Sequence, residues 1–208
     1  MTKVVLLWIT EFYFISRNIP GPDHGTVLPS ITMSIISKKL EEEKIENKVI
    51  DTDILYLTKY KGLSSKEFGK KIFIEIEKLK PEIIGVGSWV SSVSFEFLKI
   101  LKERNPNVKI ILGGINATFL PSETLKLAPW IDIVVRGEGQ ETFVELIKTL
   151  TKNRNLSVIK GISFKRNKEI FHTIDRIPKK TLDEYPIIDF ENFIGIEKYR
   201  YFDRLTYF

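Results

Sequence analysis

The sequence predicts an α/β protein whose core is a doubly wound sheet of five parallel strands. Three observations carry this. Short apolar, β-branched runs alternate with amphipathic stretches five times over residues 1–155. The connections between runs are long enough for right-handed parallel crossovers. Three of the runs end in glycine: Gly85-Val86-Gly87-Ser88, Ile110-Ile111-Leu112-Gly113-Gly114 and Val134-Val135-Arg136-Gly137-Glu138-Gly139. Glycine lets another molecule approach the main chain where a β-carbon would collide, so such strand ends imply a ligand crevice.

Lys3 to Thr10 reads as a buried strand, because it is apolar and opens directly onto polar and turn residues. The loop Glu11 to Leu28 holds Asn18-Ile19-Pro20-Gly21-Pro22-Asp23-His24-Gly25, too rich in proline and glycine for regular structure. Pro29 to Lys44 places Ile31, Ile35, Ile36 and Leu40 at helical spacing, and Glu46 to Leu55 supplies the second strand. Ser64 or Ser65 caps a helix reaching Lys80, with Phe68, Ile72, Ile76 and Leu79 inward and Pro81 as its stop. The third strand, Ile83 to Ser88, leads to a helix over Ser92 to Arg104 and a fourth strand over Val108 to Leu112. Ser122 opens a short helix, Ile131 to Arg136 is the fifth strand, and Gln140 to Lys152 the fifth helix. Near-continuous apolar strands fit burial on both faces, and the expected order is the flavodoxin-like 2-1-3-4-5, with a ligand site at the carboxyl ends of strands 1, 3, 4 and 5.

Beyond Asn155 the period changes. Val158 to Phe164, the turn Lys165-Arg166-Asn167-Lys168 and Glu169 to Ile174 read as a hairpin, an appendage over residues 156–208. Asp175 to Phe190, with Pro178 and Pro186, reads as an extended linker. The end is crowded with Phe190, Phe193, Tyr199, Tyr201, Phe202, Tyr207 and Phe208, which must pack on the domain or on a partner.

Composition narrows the function. The chain has 208 residues, 43% hydrophobic and 28% charged, enough for one core of about 150 residues but not for two full domains. The apolar run Val4 to Ile9 falls far short of the roughly 20 residues that span a bilayer. No small-residue cleavage site follows it, so neither a membrane partner nor a signal peptide is expected, and a cytoplasmic location is. Cysteine is absent, which excludes disulfides, thiolate nucleophiles and cysteine-ligated zinc or iron–sulfur clusters in this chain. The net charge of +5 comes from lysines interleaved with glutamates, as in Lys38-Lys39-Leu40-Glu41-Glu42-Glu43-Lys44, a solvated surface rather than a nucleic-acid face.

Several chemistries lack their residues. A phosphoacceptor domain needs carboxylates at the ends of strands 1 and 3, where this chain has Thr10-Glu11 and Ser88-Trp89. No G-x-G-x-x-G turn follows the first strand, so a dinucleotide fingerprint is missing. Ser88-Trp89-Val90-Ser91-Ser92 lacks a glycine-framed nucleophile elbow, and only His24 and His172 are available as imidazole bases. Asp23, His24 and Asp51 have no metal-site spacing, and an exposed loop histidine is the simpler reading of His24.

Together, Gly85-Val86-Gly87-Ser88, Ile111-Leu112-Gly113-Gly114-Ile115-Asn116-Ala117-Thr118, Pro121-Ser122-Glu123 and Asp132-Ile133-Val134-Val135-Arg136-Gly137-Glu138-Gly139-Gln140-Glu141-Thr142 resemble the amino-terminal cobalamin-binding domain of cobalamin-dependent radical S-adenosylmethionine enzymes. The resemblance is close over strands 3 to 5 and looser over Pro29 and its helix. The hairpin, Leu182-Asp183-Glu184-Tyr185-Pro186 and the aromatic segment also resemble the connection that family places before its catalytic barrel.

The resemblance implies cobalamin as cofactor, with Ser88, Trp89, Val90, Gly113, Gly114, Thr118, Gly137, Glu138 and Gly139 around it. Gly113 and Gly114 open a slot for the displaced lower nucleotide. Ser88 offers a hydroxyl to the base, Gly137 and Gly139 let the tail pass, and Glu138 accepts from a ribose hydroxyl or else favours the following helix N-terminus. Related domains with a lower histidine ligand carry D-x-H-x-x-G; Asp23-His24-Gly25 has the wrong spacing, so no histidine ligand and no other metal ligand is expected. The family's C-x-x-x-C-x-x-C cluster motif is missing, so the chain is expected to hold no iron–sulfur cluster and not to be catalytic alone. It reads as a corrinoid module of a radical methyltransferase or rearrangement system, a fragment in cis with a barrel or a subunit that docks on one. The alternatives are a cofactor-free interaction or regulatory domain, favoured if Trp89 and Phe119 fill the slot, and a nucleotide or flavin binder at the same strand ends.

Overall fold

The computed structural model describes residues 3–9, 28–88, 92–167, 169–179, 181, 183 and 185–199, with the side chains of residues 88, 92 and 93 left aside. The alternation read from the sequence is present. Strand β1 (Val4–Ile9) is followed by α1 (Ile31–Glu42), β2 (Asn47–Asp51), the short α2 (Thr52–Leu55) and α3 (Ser65–Leu79). Then come β3 (Ile83–Ser88), α4 (Ser92–Arg104), β4 (Lys109–Gly113), α5 (Ile115–Phe119), α6 (Pro121–Leu127), β5 (Ile133–Val135) and α7 (Gly139–Thr151). The hairpin is β6 (Ile162–Arg166) and β7 (Glu169–His172).

Local chemistry sets several boundaries. The Ser64 hydroxyl and Glu67 form a reciprocal capping box that starts α3, and Lys80, in the left-handed conformation before Pro81, ends it. The second strand stops at Asp51, four residues earlier than its apolar pattern suggests. The Asp51 carboxylate accepts from the backbone N–H of Asp53 at 3.0 Å and Ile54 at 3.3 Å, which turns the chain into α2. It also accepts from Ser30 N–H at 3.0 Å, so one side chain fixes the starts of both α1 and α2. The fourth strand runs to Gly113, one residue further than expected, and the fifth is trimmed to Ile133–Val135. The first hairpin arm begins later than Val158, because Leu156–Val158 forms a 3₁₀ turn.

The sheet order is β2-β1-β3-β4-β5-β6-β7. The first five strands are parallel in the expected order. The expectation of a five-stranded sheet with a pendant hairpin is corrected: β6 pairs antiparallel with β5 through Val135↔Ile162 and Ile133↔Phe164, and β7 pairs with β6, giving seven strands. The three-residue β5 would otherwise leave an unpaired ladder at the sheet edge. The reading of Gly85-Val86-Gly87-Ser88 as a glycine-bearing strand end is also corrected. Gly85 and Gly87 are strand residues inside β3, paired on both sides.

Alternation along the strands divides the core in two. Val5, Leu7, Ile84, Val86, Ile110 and Leu112 face α3, α4 and α6. Leu6, Ile83, Ile111, Ile133 and Val135 face α1 and α7. The segment after β7 crosses that second layer as a strap. Arg176 bonds Thr142 and Glu145 on α7, Asp189 pairs with Lys38 on α1 at 2.7 Å, and Asn192 donates to Ser37 at 3.0 Å. Phe193 is buried and bridges to Val49, closing the free edge of β2, so this part of the aromatic end packs on the domain itself. Tyr201, Phe202, Tyr207 and Phe208 lie outside the described residues. No helix among the described residues is long and apolar enough to cross a membrane.

Candidate functional site

The register puts Leu6, Gly85 and Ile111 side by side across β1, β3 and β4, and Trp8, Gly87 and Gly113 one step nearer the carboxyl edge. All point toward the α1 and α7 layer. The two glycines of β3 therefore sink the middle of the sheet. A β-carbon at Gly85 would collide with the Phe143 ring of α7, and one at Gly87 with Met33 of α1 and the Trp8 ring. Side chains from the two helices lean into the space the glycines leave.

Further toward the carboxyl edge no side chain of the described residues fills it. A cavity of about 410 Å³ opens between α1, α7 and the ends of β3, β4 and β5. A β-carbon at Gly113 would find nothing closer than the carbonyls of Val86 and Val135, both at 3.9 Å. Its floor and walls include Leu6, Trp8, Met33, Ile111 and Val135, so the surface is mainly apolar. That volume lies in the ordinary range for sites that enclose small molecules, roughly 300–1,000 Å³.

Two loops form the rim, and one hydroxyl joins them. Gly114 (φ 119°) and Gly137 (φ 68°) adopt conformations that disfavour a side chain. Thr118 Oγ1 donates to Gly114 O at 2.9 Å and accepts from Gly137 N–H at 3.0 Å. The G-G-x-x-x-T and R-G-E-G segments thus form one unit. Arg136, 9% exposed, anchors it from behind. Its guanidinium donates to Ile162 O, Ser163 Oγ, Thr173 O and the Asp175 carboxylate.

Glu138 occupies the N-cap position of α7, but its carboxylate makes no capping bond. It accepts instead from the Tyr185 hydroxyl of the strap at 3.3 Å. Partial burial and the Glu138 charge push the Tyr185 phenol above its ordinary range. Burial works to raise the neighbouring Glu141 carboxyl, but bonds from Lys39 and Lys179 outweigh it and hold the group low and anionic. Glu141 is thereby committed to pinning α1 and the strap onto α7.

Of the residues singled out from the sequence, Gly113, Gly114, Thr118, Gly137, Glu138 and Gly139 all line the cavity. Ser88 ends β3 by its backbone, whereas Trp89 and Val90 lie outside the described residues. Phe119 stands at the rim 75% exposed and leaves the cavity open. Asp23 and His24 fall outside the described residues, and Asp51 is buried and engaged by backbone donors. No group of three metal-ligating side chains occurs among the described residues. His172 sits between Ser122 Oγ at 2.9 Å and Ser163 Oγ at 2.8 Å on the hairpin. Its second partner is a hydroxyl and not a carboxylate, so the pair is not a hydrolase triad. Trp8, Met33, Phe143 and Gln140 also line the cavity and were missed. Aligning the parity of Trp8 with Gly87 would have found the first, but the helix residues need the packed structure.

A family model described as the B12 binding domain matches residues 24–147. An uncharacterized methyltransferase of Pyrococcus horikoshii is 33% identical over 178 residues, 85% of this chain and 36% of that protein. The anaerobic magnesium-protoporphyrin IX monomethyl ester cyclase of Cereibacter sphaeroides is 34% identical over 134 residues, 60% of this chain and 22% of that protein. This chain therefore spans about a third or less of these relatives. Among solved structures, the cobalamin-dependent S-adenosylmethionine radical enzyme OxsB with aqua-cobalamin and S-adenosylmethionine bound superposes with a TM-score of 0.65 at 20% identity, covering 86% of this chain and 23% of that one. The radical S-adenosylmethionine methyltransferase TsrM of Kitasatospora setae gives 0.59 at 18%, covering 84% and 30%.

Proposed function

Because the chain belongs to the B12-binding domain family, we propose that it is the cobalamin-holding module of a radical S-adenosylmethionine system and that the glycine-floored cavity receives the cofactor's displaced nucleotide tail. The observation that carries the second part is the open floor at Gly113, where a β-carbon would meet nothing closer than 3.9 Å although the same face is fully packed at Gly85 and Gly87.

In this reading the apolar wall of Leu6, Trp8, Met33 and Val135 excludes water around the lower base. Gly114 and Gly137, held together by Thr118, let the tail pass close to the main chain on both sides. Glu138 exchanges its Tyr185 partner for a ribose hydroxyl, and the same reading assigns Ser88, Trp89 and Val90 to the cofactor. Cobalamin supplies a cobalt centre able to carry a methyl group. This chain orients that centre at the carboxyl edge, and the chemistry on S-adenosylmethionine belongs to a cysteine-bearing barrel, in cis or in trans.

Titrating the purified chain with hydroxocobalamin and following the visible spectrum tests the reading. The expected result is saturable binding with the spectrum of displaced lower base. Absence of binding at high micromolar cofactor would return the chain to the cofactor-free class.

A further inference from the structure

The cavity changes character from rim to bottom. Its polar side chains belong to the rim: Thr32 in the first turn of α1, Gln140 in the first turn of α7, and Thr118 and Glu138 on the segments that follow β4 and β5. Helix side chains lean toward the helix N-terminus, which for α1 and α7 is the rim. Further in, the wall is apolar. Phe143, a turn deeper along α7, lies over Gly85, while Met33 and the benzo edge of the Trp8 ring lie over Gly87. Gly85 and Gly87 are themselves paired on both sides within the sheet. Of the heteroatoms in this inner wall, the Met33 thioether is only a weak acceptor and the Trp8 N–H only a donor. Among the described residues, then, every strong side-chain acceptor around the cavity stands at its rim.

We infer that the cavity selects corrinoids by their lower base, accepting a benzimidazole and discriminating against a purine, with Phe143, Met33 and Trp8 as the specificity-determining wall. The inference deepens the cobalamin reading above and rests on it. A base on a displaced tail enters with its ribose end at the rim, so its far edge meets the inner wall. In dimethylbenzimidazole that edge is a carbon ring with two methyl groups, which apolar side chains suit. In adenine it carries an exocyclic amine and ring nitrogens, and the amine would be buried with no acceptor opposite it. The ring nitrogen that leaves cobalt is an acceptor in both bases, so a donor that meets it does not discriminate.

Calorimetric titrations of the full chain with three probes test this: hydroxocobalamin, its adenine-bearing analogue hydroxopseudocobalamin, and aquocobinamide, which lacks the nucleotide tail. Adenine is the less basic base and leaves cobalt more readily, so a preference for hydroxocobalamin reports on the protein. Hydroxopseudocobalamin should bind roughly ten- to hundredfold more weakly than hydroxocobalamin, the cost of burying one or two polar groups without partners, and close to aquocobinamide. Met33→Gln, which brings an amide carbonyl to the inner wall, should narrow that gap. Equal or tighter binding of hydroxopseudocobalamin, with both cobamides above aquocobinamide, overturns the inference and leaves the slot standing. An unchanged gap in a folded Met33→Gln chain overturns the assignment to this wall. Equal affinity for all three probes means that the tail stays outside the cavity, which overturns the slot and the inference together. A chain that binds none of them overturns the cofactor reading first, and this inference with it.

Discussion

Thr118 shows how much of the site depends on a single small group. Its hydroxyl is the link between two loops that meet in space but lie 19 residues apart in the chain. Thr118→Val keeps the shape and removes both hydrogen bonds, so the free protein should lose about 1 kcal/mol, read by thermal denaturation, and the Gly137 amide should exchange faster with solvent. Unchanged exchange at Gly137 would mean that the two loops are held by something else. The glycines and Thr118 were legible in the sequence, because left-handed backbone and close approach demand those residue types. Met33 and Phe143 were not, because which helix residues reach the cavity depends on the whole packed neighbourhood. Glu138 is intermediate: the helix start beside it could be read, but its Tyr185 partner sits 47 residues away in the strap.

The element most misread from sequence is the hairpin. Its turn was visible, and Asn167 takes the left-handed conformation that Lys165-Arg166-Asn167-Lys168 suggests. Its docking was not visible, because antiparallel addition to β5 leaves no local periodicity. Arg136 is what makes the docking specific. It reaches the carbonyls of Ile162 and Thr173 on the two arms of the hairpin segment, while its own backbone N–H donates to Gly161 O at 2.8 Å. Arg136→Met should therefore destabilise the whole domain by about 2–4 kcal/mol, since it strands buried carbonyl groups, and lower the thermal midpoint by roughly 5–15 °C. Asp175 is 85% exposed on its side chain, so Asp175→Asn should cost far less. Equal effects of the two substitutions in calorimetry would contradict this division.

At the scale of the molecule, the two faces of one sheet do different work. The α3, α4 and α6 side is packed solid by side chains from Val5 to Val134. The α1 and α7 side is packed at the middle of the strands, where Phe143, Met33 and Trp8 fill the space over the β3 glycines, and open toward the carboxyl ends, over Gly113 of β4. The strap from Asp175 to Phe193 ties α7 to α1 and closes on β2, so the helices that wall the cavity are braced from outside. Strand order followed from the alternation of strands and helices alone. Which face would carry the cavity did not, because that depends on register across four strands at once.

The central claim is that the open floor at Gly113 is the cofactor's slot, and Gly113→Leu tests it most directly. A β-carbon there meets only ordinary contacts, so the substitution should leave the thermal midpoint within a few degrees while its side chain fills the cavity. Measured by calorimetric titration with hydroxocobalamin, the parent chain should bind saturably and Gly113→Leu should not. Equal affinity in a folded Gly113→Leu chain would contradict the account, because the cofactor would then lie somewhere other than this cavity.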